Sequence, residues 1–543
     1  MRVVDAAGRA TPGAVVATYH GPMAVPAAMA VTDARGVARI GVPEGTFALS
    51  VTSAVGAAWL PDQKAVPVSV RVDRPCAQVT GSVVVEPAAA IGAAAVHVTV
   101  LTDDFATFAA NVDAAGRFAS CVPAGEAIAT VDGDVVAVAQ RVRVAPGAVL
   151  GVAGYWRRNV EQTVAAALDP GDEAALVRGI PARVRVVGIG EANHGTAEFL
   201  ALRQRLAIAM SATGPTIIML EAGVAEAFAL DRYAQGEAVD LVGAIRDLGY
   251  WMWNTIEFRA FIDAVRAHNQ AHPAAVIRVL GFDVQDTQAA CDVLLATATL
   301  ATAERALVER LRADRGRAVV GFAVEEARAL DALLARLQVI APGAGVDAAT
   351  NRVALAAIEL VGRVGTLRAD PMEGARRRDQ GMADVVVAVA RLEPGARIVA
   401  LAHNGHLARE PYSTVESMGQ ALERALGDAY YPIGLFVDGG DAWAWNPAGT
   451  RREAVPLTPT PRHALEATTL RATGARPLYL HLHDAPAAVR AWAARPRYVR
   501  EFGAQASGDV GDFVLRLVPT AFDAVIVIPR GHATTPLPAP VPG

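Results

Sequence analysis

At 543 residues the chain exceeds what one ordinary hydrophobic core holds, so two to four domains are expected. Hydrophobic residues make up 53% and charged residues 19%, a globular balance, and every long apolar run is broken by charge or by Pro and Gly, which argues against a membrane-spanning helix. The net charge of −5 with dispersed arginines leaves no basic footprint for nucleic acid, and Lys64, the sole lysine, lies far upstream of the polar motifs, which removes P-loop and Schiff-base chemistry from them.

The N-terminus MRVVDAAGRA lacks the apolar stretch of a signal peptide. The chain as given is therefore expected to be cytoplasmic, or secreted or at the cell surface where an export signal is missing. Through residue 150, short Val/Ala/Thr runs alternate with Gly, Pro, Asp and Asn turn signals, the pattern of β-sandwich modules. TDARGVARIGVPEG (32–45) repeats as VDAAGRFASCVPAG (112–125): Asp and Gly bracket a turn in each, and Pro43 with Gly45, or Pro123 with Gly125, makes the next. Two β-modules follow, at roughly 1–75 and 76–153. The repeated pattern resembles carboxypeptidase-regulatory-like, transthyretin-like domains. Of three cysteines, none fits a metal-ligand or C-x-x-C spacing. Cys76 and Cys121 can pair in an oxidising compartment, and Cys291 reads as a small buried hydrophobe.

After GYWRRN (154–159) the texture changes to Ala/Leu/Arg helices separated by compact apolar runs. RVVGI (185–189), TIIML (216–220), VIRVLGF (276–282), RIVAL (397–401), PIGLFV (432–437) and DAVIVI (523–528) read as strands, with helices over stretches such as EQTVAAAL (161–168) and FLALRQRLAIAM (199–210). Continuous hydrophobicity implies strands buried on both faces, hence an α/β domain over 157–543 with a mainly parallel sheet. The Ala-rich stretch 286–370 has no convincing strand and reads as an inserted helical subdomain or lid.

The strands end in polar residues: Glu191 and His194 after the first, Glu221 after the second, Asp283 after the third, and His403, Asn404 and His406 after the fourth. Ligands of open α/β sheets bind at such carboxyl ends. GIGEANHG begins like a dinucleotide fingerprint, but Asn193 replaces the third glycine and Glu191 points negative charge at the phosphate space. Singly, His403 or His406 could be structural, and Glu221 could be satisfied by Arg203 or Arg205. In WMWNTIEF (251–258), Trp251 and Trp253 read either as core or, with Asn254, Thr255 and Glu257, as a pocket wall with polar handles.

GEANHGTAEFLALRQR (190–205), MLEAG (219–223), WMWNTIEF, GFDVQ (281–285), RDQGMAD (378–384), LAHNGH (401–406), YYPIGL (430–435) and FDAVIVIPRGHATTPL (522–537) together resemble the erythromycin esterase family from about 157 to 540. The resemblance implies hydrolysis of an ester, macrolide lactones included, by water activated without a serine nucleophile. It implies a catalytic set of Glu191, His194, Arg203, Glu221 and His403, with His406 beside them.

In that scheme His194 is the general base, Glu191 or Glu221 fixes its tautomer, and Arg203 or a protonated His403 stabilises the oxyanion. His406, Asn404, Trp253, Asn254, Glu257 and Asp283 are expected to bind substrate. No cofactor is required. A metal held by Glu191, His194, Glu221 and His403 is the alternative mechanism, although no compact ligand motif is present. The expected partner is a small molecule or peptide. The other functions left open are action on a non-macrolide natural product or peptide, and non-catalytic binding of carbohydrate or a cell surface.

Overall fold

The computed structural model describes residues 1–19, 28–42, 47–64, 67, 69–86, 96–102, 106–133, 135–136, 138–156, 171–212, 214–411, 415–460, 464–494, 497–508 and 510–539. Pro43, Gly45 and the helix expected over EQTVAAAL lie outside them.

The N-terminal region is built from strands alone. β1 (Arg2–Asp5), β2 (Val15–Tyr19), β3 (Ala28–Val31), β4 (Phe47–Thr52), β5 (Ala57–Gln63) and β6 (Ser69–Val72) form a sheet in the order β3-β2-β4-β5 and a parallel pair β1-β6. Val3, Val16, Leu49, Val51 and Val70 from both sheets share one core. β7 (Ala77–Glu86), β8 (Val96–Thr102), β9 (Thr107–Asn111), β10 (Arg117–Val122), β11 (Gly125–Gly133), β12 (Val135–Val136), β13 (Val138–Val144) and β14 (Val149–Trp156) make two further four-stranded sheets, β10-β7-β14-β12 and β13-β11-β8-β9. These also share an apolar core, with Val79, Val100, Phe108, Phe118 and Val152 in it. Cys76 and Cys121 form a disulfide with Cα atoms 5.3 Å apart, joining the chain before β7 to β10, while Cys291 is free and buried.

The sequence repeat is a repeated turn. Asp33 accepts the Arg35 and Val37 N–H groups, and Asp113 accepts those of Ala115 and Arg117. Gly36 and Gly116 stand at φ +71° and +77°. An Asx-turn that closes on a left-handed residue needs a short carboxylate at its start and glycine at its end. The same turn occurs a third time at Asp5, which accepts from Ala7 and Arg9 ahead of Gly8 at φ +80°.

The α/β domain has a mixed sheet. β15 (Val186–Ile189), β16 (Thr216–Gly223), β17 (Ile277–Asp283), β18 (Arg397–Leu401), β19 (Tyr430–Trp445), β20 (Arg452–Pro456), β21 (Leu478–His481), β22 (Arg497–Arg500), β23 (Phe513–Arg516) and β24 (Ala524–Gly531) follow in chain order. The sheet runs β17-β16-β18-β15-β19-β24-β21, parallel except for the edge strand β21. β20 pairs antiparallel with the outer part of β19, and β22 and β23 form a separate antiparallel pair.

Successive strand residues serve opposite layers, as a two-residue period requires. Val187, Ile218, Leu220 and Val399 pack with Phe199, Leu206, Phe258 and Phe261 from the helices Ala197–Ser211 and Ile256–Ala271. Val186, Ile217, Met219 and Ile398 pack in the other layer.

That second layer corrects the expected lid. Residues 286–370 form the helices Gln288–Thr297, Thr302–Ala313, Val324–Leu337 and Ala349–Leu367. Leu294, Leu311, Leu334 and Leu360 from them share a core with Met219, Leu280 and Ile398 of the sheet. The stretch is a layer of the domain, continuous with helix Pro371–Leu392, rather than an independent subdomain.

Candidate active site

The carboxyl ends of β15, β16, β17 and β18 lie side by side in the sheet, and the loops leaving them bring the polar residues together. After β15, Asn193 Oδ1 accepts from the Gly195 N–H and the Thr196 hydroxyl, so the residue where a fingerprint glycine was sought ties the loop into a turn. Within that turn Glu191 Oε1 lies 2.8 Å from His194 Nδ1. Its other oxygen accepts from Arg203 Nη1 at 2.6 Å. A carboxylate so neutralised on both oxygens fills the space a phosphate would need.

Arg203 is not where the oxyanion role requires it. It is fully buried, and its remaining donors go to Gly190 O at 3.2 Å and Ala402 O at 2.6 Å. Burial lowers its pKa against the raising effect of Glu191 and Glu221. Arg203 therefore holds Glu191 from beneath and ties the β15 and β18 loops together. Arg205 pairs with Glu173 at the surface, so neither arginine expected at Glu221 bonds to it.

The cation at Glu221 is Arg378, from helix Pro371–Leu392, at 3.1 Å. The other Glu221 oxygen accepts the His403 backbone N–H at 2.9 Å. Burial opposes ionisation of Glu221, but the charges of His406, His194 and Arg378 and the His403 N–H together hold its pKa well below the usual carboxylate range. Arg378 also forms a two-pronged bond to Asp283 at 2.9 and 2.8 Å. Asp283 is buried and accepts in addition from the Tyr250 hydroxyl, Gln285 and the Val284 N–H, which makes it an anchor for Arg378.

His403 caps the short helix Asn404–Leu407, its Nδ1 accepting the Gly405 N–H. With Nδ1 accepting, the ring proton sits on Nε2 and faces Ala192 O at 3.3 Å, whereas the Gly503 N–H, 3.1 Å from Nε2, favours the opposite tautomer. Burial pushes the His403 pKa down to about 4, so the expected imidazolium is corrected to a neutral ring. His406 behaves oppositely. Burial works against its charge, but Asp379 at 3.0 Å and Glu221 raise its pKa.

His194 and His403 face each other with ring centroids 5.4 Å apart. Above them passes the segment after β22. His194 N–H donates to Gly503 O, and Gly503 N–H lies 3.1 Å from His403 Nε2. A Cβ built on Gly503, which sits at φ +58°, would stand 3.8 Å from His194 Nε2 and 3.9 Å from His403 Nε2. Both Nε2 atoms thus flank one small space.

Besides Asp283, three further expected substrate ligands are engaged elsewhere. Asn404 is buried and bonds through both side-chain atoms to the Leu435 backbone. Trp253 is core, its indole N–H donating to Glu221 O. Glu257 accepts the Thr535 N–H and fastens the C-terminal segment. Asn254 anchors the same segment through its carbonyl, which accepts from Leu537. Its Oδ1 is buried without a partner.

Arg378, Asp379 and Gly503 were missed as site residues, and of the two tryptophans it is Trp251, not Trp253, that reaches the site. Asp379 had a readable signal. It lies on the buried stripe of its helix with Met382, Ala383 and Val386, at helical spacing, where a carboxylate must have a partner. Trp251 meets His194 edge-on at 6.2 Å. Among the described residues no group of three or more His, Cys, Asp or Glu converges as a metal site.

Solved structures with the same fold include a succinoglycan biosynthesis protein (16% identity, 70% of this chain and 98% of that one, TM-score 0.59). A Bacillus cereus protein matches likewise (18% identity, 70% and 99%, TM-score 0.59). A mutant of the erythromycin esterase EreC in its open conformation aligns at 18% identity over 66% of this chain and 92% of that one, with a TM-score of 0.49. The sequence model of the erythromycin esterase family matches residues 210–531, more than half of the chain. The chain belongs to the erythromycin esterase family.

Proposed function

We propose that the protein hydrolyses a carboxylic ester with water activated by His194. Glu191 receives the Nδ1 proton of His194, which leaves the Nε2 lone pair directed at the space beneath Gly503. Water bound there loses a proton to Nε2 as its oxygen attacks the ester carbon. Glu191 stabilises the imidazolium that forms, and Arg203 holds Glu191 in alignment.

The neutral His403 lines the same space, and in the tautomer with its proton on Nε2, where Ala192 O lies at 3.3 Å, it is the donor we assign to the developing oxyanion as that proton turns from Ala192. His194 then returns its proton to the leaving alkoxide. Glu221, Arg378, Asp283 and His406 act one step removed: Glu221 grips the His403 backbone and Arg378 holds Glu221. Macrolide lactones are one substrate in this class, and a peptide or other natural-product ester is another.

The convergence of the two Nε2 atoms on one side-chain-free space carries this reading. The test is a mass-spectrometric screen against macrolides, aryl esters and modified peptides for the 18 Da gain of hydrolysis. Substitution follows on whatever substrate is found. His194→Ala is expected to lower kcat by about two orders of magnitude or more with the fold intact. Glu191→Gln is expected to do the same, the double variant losing less than the product of the two. Wild-type turnover by folded His194→Ala protein would end the mechanism.

A further inference from the structure

Beside His194 stand two indoles and one cation. Trp251, partly buried, meets the His194 ring edge-on at 6.2 Å. Arg452, the first residue of β20, places its guanidinium carbon 5.7 Å from the centre of the Trp251 ring and 5.3 Å from that of Trp445. Trp445 and Arg452 are direct cross-strand partners in the β19–β20 ladder. The same rim continues into the segment that covers the imidazoles, because the Trp445 N–H donates to Ala504 O, next to Gly503. Three separate elements thus meet beside His194.

The guanidinium of Arg452 differs from the other arginines near the site. Arg203 and Arg378 are engaged by carboxylates, and so is the neighbouring Arg451, with Glu453. Arg452 is exposed, and among the described residues neither a carboxylate nor a carbonyl takes its N–H groups. Its contacts are with aromatic rings, which leaves its donor edge open. Stacking against indoles restrains the long side chain without consuming hydrogen bonds, and a restrained planar fork is suited to a planar carboxylate.

We propose that Arg452, steadied by Trp251 and Trp445, binds a carboxylate carried by the substrate on the far side of Trp251 from the scissile ester. This rests on the hydrolase reading of His194 and names a substrate class for it: esters bearing a free carboxylate separated from the reacting bond by about the width of an indole. Trp251 supplies the apolar surface for the intervening chain.

The experiment uses 4-nitrophenyl monoesters of straight-chain dicarboxylic acids of increasing length, each against its monocarboxylic counterpart of equal length. The full chain is expected to favour the carboxylate at one length range, with an advantage that shrinks as salt rises. Arg452→Gln should raise KM for those esters about tenfold, leave kcat unchanged, and leave the neutral esters alone. Arg452→Lys should recover little of the loss because it lacks the planar fork. Equal treatment of charged and neutral esters at every length, or an advantage that survives Arg452→Gln, overturns the proposal.

Calorimetry with the matching unreactive monoamides reads the subsite independently of turnover. Tighter binding of the carboxylate, lost in Arg452→Gln, supports the proposal even if no ester is hydrolysed, an outcome that would count against the catalytic reading alone. Equal binding with and without the carboxylate overturns the subsite.

Discussion

Gly503 matters for what it lacks. Its backbone touches both histidines, and the side chain it does not have would lie in van der Waals range of both Nε2 atoms. Gly503→Ala should therefore lower kcat on the order of 100-fold by filling the space the attacking water needs, the imidazoles themselves staying in place. The positive φ adds roughly 1 to 2 kcal/mol of strain to that variant. Gly503→Asn, which tolerates the left-handed region better, separates the effects: its melting temperature should recover while its activity does not. Full turnover in either folded variant would remove residue 503 from the reaction space. No sequence pattern pointed to this glycine, since its partners lie some 100 and 300 residues away. Glu191 and His194 were legible because an acid and an imidazole between glycines at a strand end have few structural uses. Arg203 was legible as a member of the site but not in its role, which depends on the direction its side chain takes beneath the loop.

Between elements, the junction of the helical layer with the strand-end loops rests on two acids. Glu359, buried on helix Ala349–Leu367, accepts the Ala225 N–H at the start of helix Val224–Ala234. Glu226 folds back beside it, and each carboxyl keeps one oxygen without a hydrogen-bond partner. Burial, with Asp286 and Asp283 nearby, pushes the Glu226 pKa up to about 7, and burial with Glu226 raises that of Glu359 well above the usual value. A carboxyl whose folded pKa is raised contributes stability below its unfolded value near 4.5, and this is lost as pH rises through about 7. Glu226→Gln should melt above the wild type at pH 8 and close to it at pH 5, since the amide stays neutral and offers an N–H to Glu359. A melting difference that does not change with pH would show that the pair holds no proton in this window. The sequence marked the helices here but not their placement. Periodicity told that residues 286–370 bury one face, whereas only the packing shows that this face meets the sheet. The edge strand Leu478–His481 was also hidden, being too short to stand out from its surroundings.

On the scale of the whole molecule, the chemistry and the cystine lie in different regions. The Cys76–Cys121 bridge closes a 45-residue separation inside the second β-module, and all site residues lie beyond residue 190. By loop-closure entropy such a link stabilises its module by roughly 4 kcal/mol. Cys76→Ser with Cys121→Ser should lower the unfolding temperature of a first, N-terminal transition and leave ester turnover by the intact α/β domain unchanged. A parallel fall in turnover at temperatures below that transition would show that the modules support the site directly. The division into β-rich and α/β regions was plain in the sequence because turn spacing and helix-length runs differ so sharply on either side of residue 156. The mixed character of the sheet was not, because an antiparallel edge leaves no mark on the apolar pattern of its neighbour.

Arg203 grips Gly190, Glu191 and Ala402 at once, from a position sealed off from solvent. Altering any one of these attachments leaves a buried charge or carbonyl exposed to its own desolvation, so the reactive floor resists gradual revision. The hairpin of Trp445 and Arg452 is free of such debts. If Arg452 and Trp251 select the substrate as proposed, preference changes there one residue at a time while the buried floor stays as it is, and an engineer seeking a different ester should begin at the rim and leave the foundation alone.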